Sequence, residues 1–373
     1  MIIGIPKETV AGEKRVSLVP ELLSKLKNVS ILVESGAGDA AGFIDADYRE
    51  KGASIVAREE LFGKADIVLK VQPPTEAEAN LFKPETASIS FLYPLDNLNT
   101  VRKLLERRVT AFAIELMPRI SRAQSMDALS SQAVISGYKS VLLAADTLPK
   151  IFPMLMTAAG TIPPAKVFVI GAGVAGLEAI AVAHRLGAVV EAYDVRPAAR
   201  EQVESLKAKF VELPLEAEQA QTAGGYARAQ SEEFYRKQQQ LLAERAKLAD
   251  VVITTALVPG KRAPLLISEE AVKGMRPGSV IVDLACEQGG NCALTEPGRT
   301  VNKHGVTILA PFNLPSTMAP QASQLYSRNI VAFLSTMLKD GTLNIDVTDA
   351  LVSGTLVTRG GEALHAPTKA AIS

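Results

Sequence analysis

The chain has 373 residues, of which 47% are hydrophobic and 21% charged, the balance of a globular protein rather than a disordered or fibrous one. Its 40 basic and 40 acidic side chains cancel, so no net field gathers polyanions and we expect no nucleic acid partner. Two cysteines, Cys286 and Cys292, are too few for a disulfide scaffold. The length exceeds what one hydrophobic core usually organises and predicts two domains.

The start of the chain and its most apolar stretch bear on cellular location. Residues 1–7 lack the charged leader and long apolar region of a signal peptide, which predicts a cytosolic protein. Residues 167–183 are nearly apolar, but Glu178 interrupts them and three glycines lie among them. A membrane span needs about 20 apolar residues with few charges, so we expect no direct membrane insertion.

The first third of the chain alternates short apolar runs with segments of helical spacing. Strands are predicted at residues 2–5, 29–33, 66–71, 88–92 and 110–114, and helices at residues 21–26 and 99–107. This alternation is typical of parallel βαβ units. Residues 118–127 are too polar for a core strand and are predicted to form a loop leading into a long helix near residues 130–145.

The pattern starts again at Pro163. Strands are predicted at residues 166–170, 189–193, 251–255, 280–284 and 306–310, with helices at residues 171–186 and 203–206. A final apolar helix, residues 330–338, comes too late for a third domain and is expected to pack on the first. We therefore predict an α/β protein of two doubly wound, Rossmann-like domains with parallel sheets separated by a cleft. Their predicted bounds are residues 1–130 plus 319–373 and residues 131–318.

A glycine-rich turn follows the predicted strand at residues 166–170. Gly171 permits a tight turn, Gly173 has no Cβ to hold a pyrophosphate away, and Gly176 lets the following helix lie close to the strand. Val174 and Ala175 begin that helix, whose free N–H groups and positive dipole end favour phosphate. The turn predicts a dinucleotide site.

An acidic residue at the end of the next strand supports this prediction. Asp194 comes about 20 residues after the turn, where a carboxylate accepts hydrogen bonds from the adenosine ribose and repels a 2′-phosphate. The pattern favours NAD(H) over NADP(H). Val195 follows, and Arg196 is an alternative partner for a 2′-phosphate.

Two other glycine-containing segments are interpreted differently. Gly36, Gly38 and Gly42 have a last spacing one residue too long, and residues 43–48 show no buried-helix pattern, so a plain turn is predicted. Residues 214–231 are small and polar with paired glycines. They are predicted to form a surface loop, although loops of this length are often lids or binding segments.

The sequence offers no obvious proton-transfer machinery. His184, His304 and His365 fall in a helix, a polar turn and the C-terminal tail, and Cys286 and Cys292 have no partners for a zinc set. Hydride transfer between two nicotinamide rings needs neither acid nor base, only rings held at roughly 3–3.5 Å. The lack of an evident acid or base in the sequence is therefore compatible with direct hydride transfer between two nicotinamide rings.

Residues 118–131 closely resemble the signature loop of the NAD(H)-binding component of proton-translocating nicotinamide nucleotide transhydrogenases. This loop is far more specific than the glycine pattern. The resemblance extends over essentially the whole chain and includes residues 5–8, 15–16, 69–71, 224–226, 254–261 and 278–285.

The resemblance implies roles for individual residues. Arg119, Asp127 and Ser130 would hold the carboxamide and ribose of the nicotinamide half, and Gln124 would reach toward NADP(H) on a partner. Arg119, Gln124 and Asp127 are thus the implied catalytic residues. Further implied NAD(H) contacts come from a closing loop, Gly225 and Tyr226, and from Thr255, Ala256 and Leu257.

The resemblance also implies an assembly. The chain would be a homodimeric subunit that passes hydride from NADH to NADP+ on an NADP(H)-binding subunit, with a membrane-spanning subunit coupling the transfer to proton movement. It would lie in the cytoplasm, peripheral to the inner membrane through these partners.

Alanine dehydrogenase is a related alternative, because it shares Arg15, Lys70 and the glycine turn. In that family a His follows the strand near residues 88–92 and an Asp acts near a downstream glycine pair. Here Tyr93 and Glu287 stand at those positions. The alternatives are therefore an NAD-dependent amino-acid dehydrogenase using Lys70 and Arg15, or a non-catalytic NAD-sensing module; we expect these two residues to be structural.

Overall fold

The computed structural model describes residues 1–213, 231–257 and 262–372. The chain divides into two compact units, Met1–Gln132 with Pro315–Ser373, and Ala133–Leu314. Each contains a large, mainly parallel sheet, so the predicted α/β class is confirmed.

The N-terminal stretch supplies six strands and five α-helices. The strands are β1 (Ile2–Ile5), β2 (Ser30–Glu34), β3 (Ser54–Val56), β4 (Ile67–Leu69), β5 (Ala87–Ser90) and β6 (Thr110–Ala113). The helices are α1 (Asp45–Glu50), α2 (Arg58–Lys64), α3 (Glu76–Ala79), α4 (Leu98–Glu106) and α5 (Ala128–Thr147). Short 3-10 helices lie at Pro20–Lys25, Asp39–Ala41, Ile114–Leu116 and Ser121–Met126.

The described residues of the middle stretch supply nine strands and four α-helices. The strands are β7 (Leu155–Thr157), β8 (Gly160–Ile162), β9 (Lys166–Ile170), β10 (Val189–Tyr193), β11 (Lys209–Phe210), β12 (Val251–Thr254), β13 (Val280–Asp283), β14 (Thr300–Lys303) and β15 (Val306–Leu309). The helices are α6 (Val174–Arg185), α7 (Ala199–Ser205), α8 (Glu232–Leu248) and α9 (Glu269–Lys273). Further 3-10 helices lie at Cys286–Gln288 and Leu314–Met318.

The C-terminal stretch completes the first unit. Its elements are α10 (Ala319–Met337), β16 (Leu338–Lys339), β17 (Thr342–Leu343), α11 (Ala350–Thr355), β18 (Leu356–Arg359), β19 (Glu362–Ala363) and α12 (Ala366–Ile372). Apolar side chains of α10, including Ile330, Phe333 and Leu334, are fully buried in the same core as strands β1, β4 and β5. This burial explains the helical apolar spacing near the end of the sequence.

The first unit contains an eight-stranded sheet in the order β19-β18-β6-β5-β4-β1-β2-β3. Strands β1 to β6 pair in parallel, whereas β18 and β19 add an antiparallel edge. Helix α1 overlaps residues 43–48, where the sequence shows no clean buried-helix pattern. It has six residues, and its start is held by an Asp47 carboxylate that accepts the Ile44 N–H at 2.9 Å, so it is too short to show an apolar period.

The second unit contains a seven-stranded sheet in the order β11-β10-β9-β12-β13-β15-β14, in which only β14 is antiparallel. After β9 the chain continues outward to β10, and later returns to β12 on the other side of β9. The strand order therefore reverses between β9 and β12. In open parallel sheets, ligands bind at the carboxyl ends of the strands at such a reversal.

Candidate functional site

The glycine turn lies at this reversal, between the end of β9 and the start of α6. Gly171 has φ +100°, and a Cβ added there would lie 2.6 Å from the Thr255 hydroxyl oxygen. A Cβ on Gly176 would lie 1.8 Å from the Gly171 carbonyl oxygen. A Cβ on Gly173 would meet no atom of residues 1–213, 231–257 or 262–372 within 4 Å. Two of the glycines are thus required by packing, whereas packing among these residues leaves room for a Cβ at Gly173, just before the first helical N–H groups.

Asp194 is buried beside this turn, with 9% of its surface exposed. Its carboxylate accepts hydrogen bonds from the Ala172 N–H at 2.8 Å and from Arg196, whose Nε and Nη2 both lie at 2.9 Å. The bond to Asp194 raises the pKa of the Arg196 guanidinium despite partial burial. The structure therefore places Asp194, the predicted ribose acceptor, and Arg196, the alternative partner for a 2′-phosphate, at the turn and already joined to each other.

The segment after β12 runs alongside the turn. The Thr255 N–H donates to the Ile170 carbonyl oxygen at 2.9 Å, and its hydroxyl to the Gly171 carbonyl oxygen at 3.0 Å. Leu257 is 41% exposed. Thr255, Ala256 and Leu257 thus form one wall beside the glycine turn.

Asn291 was not singled out by the sequence, yet it holds this wall in place. Its side chain is completely buried and bonds the backbone of Ala256 and of Pro264. The Gly289–Gly290 pair directly before it has φ +99° and +79°. That pair is the local signal that could have drawn attention to this position.

The signature loop lies in the first unit and is anchored by buried Ala123 and Met126. Arg119 and Gln124 are exposed on it. Asp127 caps α5, because its carboxylate accepts the Ser130 N–H at 2.9 Å and the Ser130 hydroxyl at 2.6 Å. The structure therefore groups the four predicted nicotinamide residues on one loop and helix start, with Asp127 and Ser130 bonded to each other. Gly225 and Tyr226, the other predicted contacts, lie outside the described residues.

Arg15 and Lys70, the cations shared with alanine dehydrogenase, are both buried and paired. The Arg15 Nε lies 2.8 Å from Glu13, and the Lys70 ammonium lies 3.0 Å from Glu8 and 3.2 Å from Glu78. Burial acts to raise the pKa of Glu13, but bonds from Arg15 outweigh it and hold that pKa at about 2. Because internal carboxylates already neutralise both cations, neither offers a free charge to a carboxylate substrate.

The cysteines and histidines contribute little to a site. Burial raises the thiol pKa to about 12 for Cys286 and about 11 for Cys292, so both stay protonated at neutral pH. Among residues 1–213, 231–257 and 262–372, no three His, Cys, Asp or Glu side chains group as metal ligands.

Within the same ranges, no helix has the length and apolar character needed to cross a membrane.

Two family models together match nearly the whole chain. Residues 4–136 match the family model for the alanine dehydrogenase/PNT N-terminal domain, and residues 140–366 match that for the alanine dehydrogenase/PNT C-terminal domain. A chain of the NAD(P) transhydrogenase subunit alpha of Rhodospirillum rubrum is 50% identical over 98% of both chains. Alanine dehydrogenase 2 of Staphylococcus aureus is 32% identical over 91% of this chain and 87% of its own.

Among solved structures, too, a transhydrogenase is more similar to this chain than an alanine dehydrogenase is. A transhydrogenase from Sinorhizobium meliloti has a TM-score of 0.88 and 43% identity, covering 97% of this chain and 100% of its own. An L-alanine dehydrogenase has a TM-score of 0.81 and 27% identity, covering 100% and 99%. The chain therefore belongs to the alanine dehydrogenase/PNT family, in which its nearer relatives are alpha subunits of NAD(P) transhydrogenase.

Proposed function

We propose that this chain is the NAD(H)-binding subunit of an NAD(P) transhydrogenase and that it passes hydride from NADH directly to NADP+ on a partner subunit. The observation that carries the proposal is the 50% identity to a transhydrogenase alpha subunit over 98% of both chains. The open approach at Gly173, on a turn at the strand-order reversal, supports dinucleotide binding independently.

The second unit would bind the adenosine diphosphate part. The backbone of Gly171, Gly173, Val174, Ala175 and Gly176 would receive the pyrophosphate at the start of α6. The adenosine ribose would be held by Asp194, Val195 and Arg196. The Asp194 carboxylate already accepts four hydrogen bonds, from the Ala172 N–H and from the Arg196 N–H, Nε and Nη2. Ribose hydroxyls would therefore take the place of one or more of the Arg196 bonds.

On the resemblance of the signature loop, Arg119, Asp127 and Ser130 would orient the nicotinamide. Arg119 is a donor and ionised Asp127 an acceptor, so together they complement a carboxamide and would set the rotation of the ring. Ser130, bonded to Asp127, would contact the ribose. Bound NADH supplies the hydride. The protein's own contribution is then orientation and exclusion of water, which needs no acid or base from the chain.

The relatives are subunits of NAD(P) transhydrogenase, which supports an assembly with further subunits. We place an NADP(H)-binding subunit and a membrane-spanning subunit beside this chain, which would hold it at the cytoplasmic side of the inner membrane. Proton movement through the membrane subunit would be coupled to the transfer.

The test is reconstitution. Mixing the chain with an NADP(H)-binding component should give NADH-dependent reduction of an NADP+ analogue, followed by absorbance. The amino-acid dehydrogenase alternative predicts alanine-dependent reduction of NAD+ instead. Alanine-dependent activity in the absence of transhydrogenation would overturn the proposal, and nucleotide binding without either activity would favour the sensing module.

Gln124 provides a narrower test on the exposed face of the signature loop. Gln124→Asn should slow hydride transfer in the mixed complex about tenfold, because a shortened amide misplaces the partner nucleotide by an ångström or so. Affinity for NADH, titrated by its fluorescence in a chain without Trp, should stay nearly unchanged. Equal losses of affinity and rate would place Gln124 against NADH itself.

The β7–β8 hairpin supports a homodimer. It pairs with no other strand of the described residues. Met156 in the hairpin is 78% exposed, and Met154 directly before it is 55% exposed. Residues 148–153, directly before the hairpin, line an open depression of about 740 Å³. A lone two-stranded hairpin with an apolar surface is marginal in water, which favours burial against a second copy.

Met156→Glu should therefore shift the chain toward monomers, because a carboxylate would be buried in the interface. Sedimentation velocity at micromolar concentration measures the change. The matched control is Leu248→Glu, which places the same charge at an exposed apolar residue at the end of α8. A monomeric wild type, or dimers that survive Met156→Glu, would remove the hairpin from the interface.

A further inference from the structure

Asn291 forms a four-way connection at the carboxyl edge of the second sheet. Its Oδ1 accepts the Ala256 N–H at 3.0 Å, while its Nδ2 donates to the Ala256 carbonyl oxygen at 2.9 Å and to the Pro264 carbonyl oxygen at 2.8 Å. Its own N–H donates to the Asp283 carboxylate at 2.8 Å. Every donor of the side chain is used, and both polar groups of the Ala256 backbone are bound to it.

The surrounding backbone is built to deliver this amide. Gly290 has φ +79°, and a Cβ there would lie 2.8 Å from the Asp283 carboxylate. Asp283 is fully buried and also accepts bonds from Thr254, Thr295 and the backbone of Ala285 and Cys292. These contacts fix Asn291 to the end of β13, so its side chain has one position from which to hold Ala256.

The held segment lies directly beside the glycine turn. A Cβ on Gly171 would be 3.2 Å from the Ala256 nitrogen. The ladder between β9 and the chain after β12 ends at Thr255, whose N–H bonds Ile170. From Ala256 onward, the side chain of Asn291 supplies the pairing that a neighbouring strand would otherwise supply.

We infer that Asn291 is a positioning residue, which fixes the Ala256–Leu257 backbone against the glycine turn before nucleotide binds. The inference rests on the proposed assignment of Thr255, Ala256 and Leu257 to the NAD(H) site. Preorganisation of this kind lowers the ordering cost of binding, so its loss should appear in affinity rather than in the rate at saturation.

The test compares variants in the full-length chain below their unfolding temperatures. Asn291→Ala should weaken NADH binding about 5- to 20-fold, since it removes three hydrogen bonds that order the segment. With the partner component present, KM for NADH should rise while kcat is largely retained. Thr295→Val is the matched control, because it removes a 2.6 Å bond to the same Asp283 carboxylate without touching Ala256.

Leu257→Ala separates this inference from the assignment of the segment. If Leu257→Ala weakens NADH binding and Asn291→Ala does not, the segment contacts nucleotide but Asn291 does not position it. If neither weakens binding, the segment is outside the site and the proposed assignment itself fails. Equal weakening by Asn291→Ala and Thr295→Val would reduce the effect to general destabilisation and overturn the inference.

Asn291→Ala leaves buried polar groups without partners, so a second route is needed if it does not fold. Asn291→Asp keeps the shape and the acceptor for the Ala256 N–H but loses both donors, and should reproduce the loss of affinity. Hydrogen exchange of the wild-type Ala256 N–H gives an answer without any variant. Slow exchange before NADH is added supports preorganisation, and exchange that slows only after NADH is added contradicts it.

Discussion

Lys70→Met is expected to lower the free energy of unfolding by about 3–5 kcal/mol, because removing one partner of a buried ion pair leaves the other charge uncompensated. The ammonium is fully buried and contacts Glu8 and Glu78. Burial acts to lower the Lys70 pKa, but the two carboxylates outweigh it and raise that pKa, so the side chain is charged. Chemical denaturation followed by circular dichroism measures the loss.

The matched control is Lys64→Met on helix α2. Lys64 pairs with Glu60 at 2.7 Å, but both side chains are largely exposed, and such surface pairs contribute about 0.5 kcal/mol or less. If the free energy of unfolding of Lys70→Met is as high as that of Lys64→Met, Glu8 and Glu78 carry no negative charge that needs a cationic partner. The result also bears on function, because a structural Lys70 is unavailable to a carboxylate substrate.

Gly173→Ala is expected to weaken NADH binding by at least about tenfold while leaving the unfolding temperature unchanged. Among the residues that the structure describes, the added Cβ has no neighbour within 4 Å, so their packing does not oppose it. It would, however, stand where the pyrophosphate must approach the backbone. Fluorescence titration with NADH and differential scanning calorimetry measure the two effects separately.

Alanine substitutions at two other glycines serve as controls for Gly173→Ala. Gly63→Ala, inside α2 and also without a neighbour within 4 Å, should alter neither quantity unfavourably. Gly176→Ala should lower the unfolding temperature, because its Cβ would overlap the Gly171 carbonyl oxygen at 1.8 Å. Unchanged NADH affinity in Gly173→Ala would move the phosphate site away from the turn.

Two strands of the second sheet could be predicted closely from the sequence. Lys166–Ile170 and Val189–Tyr193 have the predicted bounds, because mainly apolar runs between turn residues have few alternatives. The β7–β8 hairpin was missed. Its Leu155, Met156 and Ile162 are the residue types of a core, and only the structure shows that they are exposed.

The candidate site residues differ in how far the sequence predicts their contacts. The proximity of Asp194 to the turn at Gly171 could be predicted from a local spacing. Glu13, which neutralises Arg15, lies only two residues from it in the sequence. Glu8, which neutralises Lys70, is far away in the sequence and follows a different strand. The role of Asn291 likewise depends on backbone groups some thirty residues earlier. No periodic pattern reports such contacts, since they arise only when strand ends meet.

Isotope retention distinguishes direct hydride transfer between the two nucleotides from transfer that exchanges hydrogen with solvent. The chain is mixed with the NADP(H)-binding component, NADP+ and NADH that carries deuterium at the transferable position of the nicotinamide ring. The product NADPH, analysed by mass spectrometry, should contain that deuterium without dilution, because the hydride never meets water. NADPH carrying hydrogen from the solvent would contradict direct transfer between the two nucleotides.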